Sequence, residues 1–301
     1  MTLAAIPTQQ QRSSRRAPTR KAVALAAALW AAGLAIGPLP AHAEPAELTY
    51  DLRIDLPLTL VAASWVIGSE AAKSHLAHAQ CRWCDRSPDG RDTLNSVDAT
   101  VRNALCWQQT TTANVLSNVV GYVVAPLATF GALALAQWHD DALPHLPVDG
   151  LIVLEAVSLS LSASQVVKFS TGRQRPFVHA RQADGAELTS RSSDDNTSFY
   201  SGHTSFVFAL ATAAGTVATM RGYRWARWVW TTGLFLATVT AYLRVASDRH
   251  YFSDVMVGSV TGAVIGAATP LLLHRGPTTR PVPVVAGVPG GALVSLVWTA
   301  N

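Results

Sequence analysis

Two stretches of this chain carry no charged residue over lengths that can cross a bilayer, Thr110 to Trp138 and Val255 to Leu273. At 1.5 Å per helical residue, about 20 apolar residues span a hydrocarbon core of about 30 Å. Hydrocarbon offers the backbone no hydrogen-bond partners, so such runs must satisfy their own amides as helices. Thr204 to Met220 and Trp228 to Leu243 are shorter uncharged runs, each with an arginine at its border. Leu151 to Val167 holds Glu155 and several serines, and needs other helices around it. Leu58 to Gly68 is apolar but too short to span, and reads as an interfacial or buried segment. Gly258, Gly262 and Gly266 recur every fourth residue, a face suited to close helix packing. The expectation is an all-α bundle of about five to six helices of transmembrane type. Arg280 to Asn301, with its Pro and Gly between short Val/Leu runs, reads as a short C-terminal β-hairpin or a tail.

Composition agrees with a membrane protein. Hydrophobic residues make up 49% and charged residues only 14%, against a usual charged share of about 25%. The net charge of +4 is concentrated at the N-terminus, where Arg12, Arg15, Arg16, Arg20 and Lys21 are met by no acidic residue before Glu44. Without those five, 18 basic residues face 19 acidic ones, and nucleic-acid binding loses its electrostatic footprint. The basic stretch, the apolar run Ala22 to Ile36 and Ala41-His42-Ala43 make residues 1–43 a signal peptide or an N-terminal anchor. Residues 44–109 then form an exported polar region, 110–275 the main helical domain and 276–301 a C-terminal tail.

Export also bears on Cys81, Cys84 and Cys106, which in an oxidising compartment allow one disulfide and one remaining thiol. His75 and His78 before Cys81-x-x-Cys84 resemble zinc spacing, but an oxidising compartment favours the disulfide. Arg221, Arg224 and Arg227 mark a cytoplasmic loop by the positive-inside rule. Helix counting from there puts residues 168–203 and 244–254 on one exported face. The other inferred cytoplasmic loop, His139 to Asp149, has no Lys or Arg, which leaves a soluble exported helical domain as the alternative.

Those two exported segments hold the chemistry. Lys168 and Arg175 are seven residues apart, a spacing that puts both cations on one helix face until Pro176 ends the helix. An ammonium point charge and a guanidinium fork suit a phosphoryl group. Ser201 can cap the following helix while Gly202 lets backbone N–H groups approach an anion, with His203 beside them. Arg244 precedes His250 and Asp254, and an acid four residues after a histidine can hold one ring nitrogen protonated.

Lys168-x6-Arg175-Pro176, Ser201-Gly202-His203 and Arg244-x5-His250-x3-Asp254, in this order and spacing, resemble the three-part signature of the type 2 phosphatidic acid phosphatase superfamily. That superfamily also includes class A acid phosphatases and vanadium haloperoxidases, and the resemblance covers roughly residues 110–275. Tyr200 stands where the family usually has Pro, and Leu243 where it usually has Ser. The resemblance implies a phosphoric monoester hydrolase that needs no metal or cofactor. His250 would attack phosphorus and form a phosphohistidine, Asp254 would orient its ring, and His203 would protonate the leaving oxygen and then activate water. Lys168, Arg175, Ser201, Gly202 and Arg244 would hold the phosphate oxygens. The expected substrate is a lipid phosphate or lipid pyrophosphate, with membrane lipid as partner, at the exported face of a bacterial-type inner membrane. A secreted or periplasmic soluble acid phosphatase acting on small phosphomonoesters is the alternative. A vanadate-dependent haloperoxidase and a catalytically silent membrane scaffold rank below both. The oligomeric state is not written in these motifs.

Overall fold

A computed structural model describes residues 48–183, 192–276, 280–288 and 291–299, the last two by backbone alone. The leader at 1–43 lies outside the described residues. The helices are α1 (Asp55–Ala71), α2 (Lys73–Leu76), α3 (Ser96–Leu105), α4 (Thr110–Val119), α5 (Ala125–His139), α6 (Leu146–Thr171), α7 (Pro176–Ala183), α8 (Gly202–Met220), α9 (Ala226–Ala246) and α10 (Phe252–Leu273). A wide turn of π-helix, Val120–Val124, joins α4 to α5 without a break, so the pair forms one rod. Arg280–Val288 (β1) and Gly291–Thr299 (β2) form the expected hairpin, in register from Arg280 opposite Thr299 to Val288 opposite Gly291.

Among the described residues, four helical segments are long and apolar enough to cross a membrane: Thr110–His139, Leu143–Thr171, Ala226–Ala246 and Phe252–Leu273. They pack around α8, which touches α5, α6, α9 and α10. Ala, Gly, Thr and Ser make up most of α8, and 15 of its 19 residues are buried, so small side chains let four neighbours approach one axis. The three glycines of α10 serve that approach. A Cβ at Gly258, Gly262 or Gly266 would collide with the backbone oxygens of Ser201, Ser205 or Ala209 on α8. The more apolar helices take the outside, where Leu127 is 72% and Leu272 79% exposed. Facing outward is favourable for such side chains in hydrocarbon, while the serines of α6 turn inward and Ser160 hydrogen-bonds Ser205 at 2.7 Å.

The apolar segment Leu58 to Gly68 is part of a longer helix. Its helix extends to 17 residues as α1, the lower end of the spanning range, packs along α6 and leaves Val61 and Ile67 exposed on its outer side. Residues 55–57 at one end and 69–71 at the other lengthen it beyond the apolar run. Antiparallel succession of α1, the α4–α5 rod, α6, α8, α9 and α10 therefore brings residues 168–183, 192–203 and 244–254 to one end of the bundle. Residues 72–109 cover that same end. Within this cover Cys81 and Cys84 form a disulfide, which excludes the zinc alternative at those cysteines, and Cys106 lies outside the bridge.

Candidate active site

The first cationic motif is not one helix face. Gly172, at φ 58°, caps α6 in the left-handed conformation, a geometry that glycine adopts without strain. Residues 172–175 then run extended, bonded to the disulfide loop through Arg82 N to Gly172 O at 3.0 Å and Gln174 N to Trp83 O at 3.0 Å. Pro176 opens α7 and ends nothing. Lys168 and Arg175 still converge, Lys168 from the last turn of α6 and Arg175 from this extended segment.

Arg175 is buried and its fork is fully used. It donates through Nε to Asp194 O at 2.7 Å, through Nη1 to Arg249 O at 2.9 Å and through Nη2 to the Asp194 carboxylate at 3.0 Å. Nη1 also lies 3.3 Å from His250 Nε2. The other ring nitrogen, Nδ1, sits 2.8 Å from the Ser198 carbonyl oxygen. A carbonyl only accepts, so Nδ1 carries the proton and Nε2 keeps a lone pair facing the cations. Asp254 approaches Nδ1 only to 3.8 Å, and the ring is therefore oriented by Ser198. Asp254 acts through that residue: its Oδ2 accepts from Ser198 Oγ at 2.5 Å and from Tyr251 N–H at 2.9 Å.

Ser201 caps α8, with its hydroxyl accepting from Thr204 N–H. A Cβ at Gly202 would sit 3.0 Å from Lys168 Nζ and 3.3 Å from Ser164 Oγ, so the glycine leaves the helix start open to the ammonium. His203 Nε2 lies 2.8 Å from Asn118 Oδ1 and Nδ1 lies 3.3 Å from Tyr122 OH. Arg244, buried in the last turn of α9, donates through Nη1 to Asn114 Oδ1 and Ser117 Oγ, each at 3.0 Å. Its Nε and the Ser164 hydroxyl are buried with no hydrogen-bond partner, which leaves donors available to an anion.

Sequence reasoning missed several of these residues. Asn114, Ser117, Asn118 and Tyr122 come from an uncharged membrane-length run, where polar residues recurring three to four apart were the available signal. Asp194 binds Lys73 at 2.5 Å, Arg175 at 3.0 Å and Arg249 at 3.1 Å. Arg173, fully buried, joins the third motif to the polar cover. It donates to Asp85 at 3.0 Å, Asp98 at 2.9 Å and Asp254 at 2.6 Å, and its guanidinium lies 4.2 Å from the ring centres of both Trp83 and Tyr251.

Electrostatics follow this arrangement. Burial, then the positive fields of Arg175, Arg244 and Lys168, hold the His250 imidazole well below its ordinary value, so the ring is neutral. Burial alone would raise the Asp194 carboxyl, but Arg175, Lys73 and Arg249 together bring it far below the usual carboxylate range. Burial opposes the charge on Arg173 and is outweighed by Asp254, Asp85 and Asp98, so its pKa rises. The site is a neutral nucleophilic nitrogen among fixed cations.

The PAP2 superfamily model matches residues 149–276. Phospholipid phosphatase 2 of Bos taurus is 29% identical over 136 residues, covering 38% of this chain and 47% of its own length. Phospholipid phosphatase 2 of Rattus norvegicus is 30% identical over 136 residues, covering 38% and 49%, and that of Homo sapiens 28% over 137 residues, covering 38% and 48%. The chain thus spans about half the length of the curated relatives it matches. No solved structure matches it. All nine residues of the three motifs lie within the matched span, and residues 149–276 of this chain are a PAP2 superfamily domain.

Proposed function

We propose that this chain is a phosphatase that hydrolyses a lipid phosphate or lipid pyrophosphate through a phosphohistidine at His250. One observation carries the reading: Ser198 O fixes the proton on Nδ1, leaving the His250 Nε2 lone pair beside the Arg175 fork. A phosphoryl group entering there replaces the Asp194 carboxylate at Arg175 Nη2 and meets Lys168, Arg244 and the start of α8 around its other equatorial oxygens. Nε2 attacks phosphorus, the bond to the leaving oxygen breaks, and His203 gives that oxygen its proton. Water then attacks the phosphohistidine with His203 as base, returning inorganic phosphate and free His250. Asn118 accepts from His203 Nε2–H, so Nδ1 is the nitrogen that takes a proton from the monoprotonated phosphate head group as substrate replaces Tyr122, and then gives it to the leaving oxygen.

A lipid substrate is supported by the four membrane-length helices, which let acyl or prenyl tails stay in the bilayer while the head group reaches the site, and by the names of the curated relatives. The exported face is supported by the Cys81–Cys84 disulfide, which lies at the active-site end and persists in an oxidising compartment. Phosphate release by detergent-purified protein, with and without EDTA, tests the function on phosphatidic acid, a polyprenyl pyrophosphate and p-nitrophenyl phosphate. Release from the lipids is expected, lost by about 10⁴-fold in folded His250→Ala. Release from the soluble ester alone would favour the soluble acid phosphatase reading. A His250→Ala protein turning over at the wild-type rate would overturn the mechanism.

A further inference from the structure

Away from the active site, Asp55 opens α1, Glu155 lies in the third turn of α6 and His274 follows α10. One ligand atom from each lies within 4.8 Å of the others, about 30 Å along α10 from Asp254 at 1.5 Å per residue. Glu155 and His274 have side chains only 1% exposed. Glu155 Oε2 is 3.2 Å from His274 Nε2, yet neither Glu155 oxygen nor that nitrogen has a hydrogen-bond partner. His274 Nδ1 is 3.0 Å from the Thr49 carbonyl oxygen, so in the neutral ring Nδ1 holds the proton and Nε2 presents its lone pair to a carboxylate. Such a pair is joined either by a proton on Nε2 or by a metal ion between the two atoms. Their separation matches the roughly 3.3 Å between two ligands on one tetrahedral ion with bonds of about 2.0–2.1 Å.

Charge gives the same answer. Among the described residues no Lys or Arg pairs with Asp55 or Glu155, and a carboxylate in a membrane-length helix is costly without a partner. Two carboxylates and one neutral imidazole are balanced by a dication. Each outer ligand is also held from behind: Thr49 O fixes His274, and Asp51 N–H donates to Asp55 Oδ2 at 2.7 Å, the backing that metal ligands use. We propose that Asp55, Glu155 and His274 bind a divalent transition-metal ion of the zinc type, tying α1 and α6 to the end of α10. The ion is structural and takes no part in phosphoryl transfer.

The full detergent-purified chain, stripped with EDTA, is titrated with Co2+ and with Zn2+, and its zinc content is measured by mass spectrometry after gel filtration. Expected are about one zinc per chain, visible absorption from bound Co2+, and a higher Tm with Zn2+ than with EDTA. Glu155→Gln is expected to weaken zinc at least tenfold while phosphate release by the folded protein stays unchanged. Should Glu155→Gln not fold, His274→Gln carries the same test. Absence of Co2+ absorption and of any Tm response in wild type would overturn the site and make the pair a buried imidazolium–carboxylate. Equal zinc affinity in wild type and variant would overturn it too, placing the metal elsewhere. None of these readouts depends on the phosphatase assay.

Discussion

The two ends of the bundle treat their cations in opposite ways. At the active-site end, Arg175, Lys168 and Arg244 are brought together around His250, with Asp194 as a counter-charge at the margin. At the far end two cations each meet an acid of their own: Arg221 lies 2.8 Å from Asp149, and Arg224 lies 3.3 Å from Asp140. Paired charges hold a turn in place. Gathered charges create a field that only an arriving anion relieves, and a polar cover must hold them together meanwhile. That cover accounts for the different architecture of the two ends. Residues 72–109, 172–183 and 192–201 bring Arg173, Asp85, Asp98 and Ser198 to the active-site end, whereas short turns close the far one.

Breaking the hub of the cover is expected to have the largest effect on stability. Arg173→Ala leaves Asp85, Asp98 and Asp254 buried without their shared cation and should cost about 3–5 kcal/mol in chemical denaturation. A loss confined to activity, with stability unchanged, would show that the hub does not hold the active-site end together. Support of the acid–base histidine comes next. Asn118→Ala and Tyr122→Phe each remove one contact of His203 and should lower kcat roughly tenfold, the equivalent of one hydrogen bond near 1.4 kcal/mol. An unchanged kcat in both would remove these residues from the mechanism.

The gathered cations also set a pH dependence. His250 is held well below its ordinary value by burial first and by Arg175, Arg244 and Lys168 after it. The unfolded ring binds its proton near pH 6.5, as an unperturbed histidine does, roughly. Between the two values the unfolded chain therefore holds more protons, so this contribution to stability is fully present above about pH 6.5 and declines as pH falls toward the folded value. The neutral nucleophile persists through the same window, so the acid limb of kcat/KM should lie below about pH 6.5. An acid limb at or above that value would show that the field does not reach His250. The smallest effect belongs to the far end: Arg224→Ala removes a mostly exposed pair and should leave Tm and kcat within measurement error.

Much of this was legible in the chain. Uncharged runs of bilayer length dictate helices, because a single segment satisfies its own backbone in hydrocarbon only as a helix, and the Gly258, Gly262 and Gly266 spacing already marks the face of α10 that lies on α8. The motif residues were legible as well, since lysine, arginine and histidine are conspicuous where charge is scarce. Position was harder to read. Lys168 and Arg175 read as neighbours on one helix, and only Gly172, turning the chain against the disulfide loop, shows them converging from two elements. Asp254 read as the direct partner of His250, and only the fold interposes Ser198, 56 residues earlier than Asp254 in the chain. Local pattern follows from spacing within one helix, and the chain states that outright. Contacts between distant segments depend on loop paths and on which backbone groups remain unpaired, so the tertiary structure alone decides them.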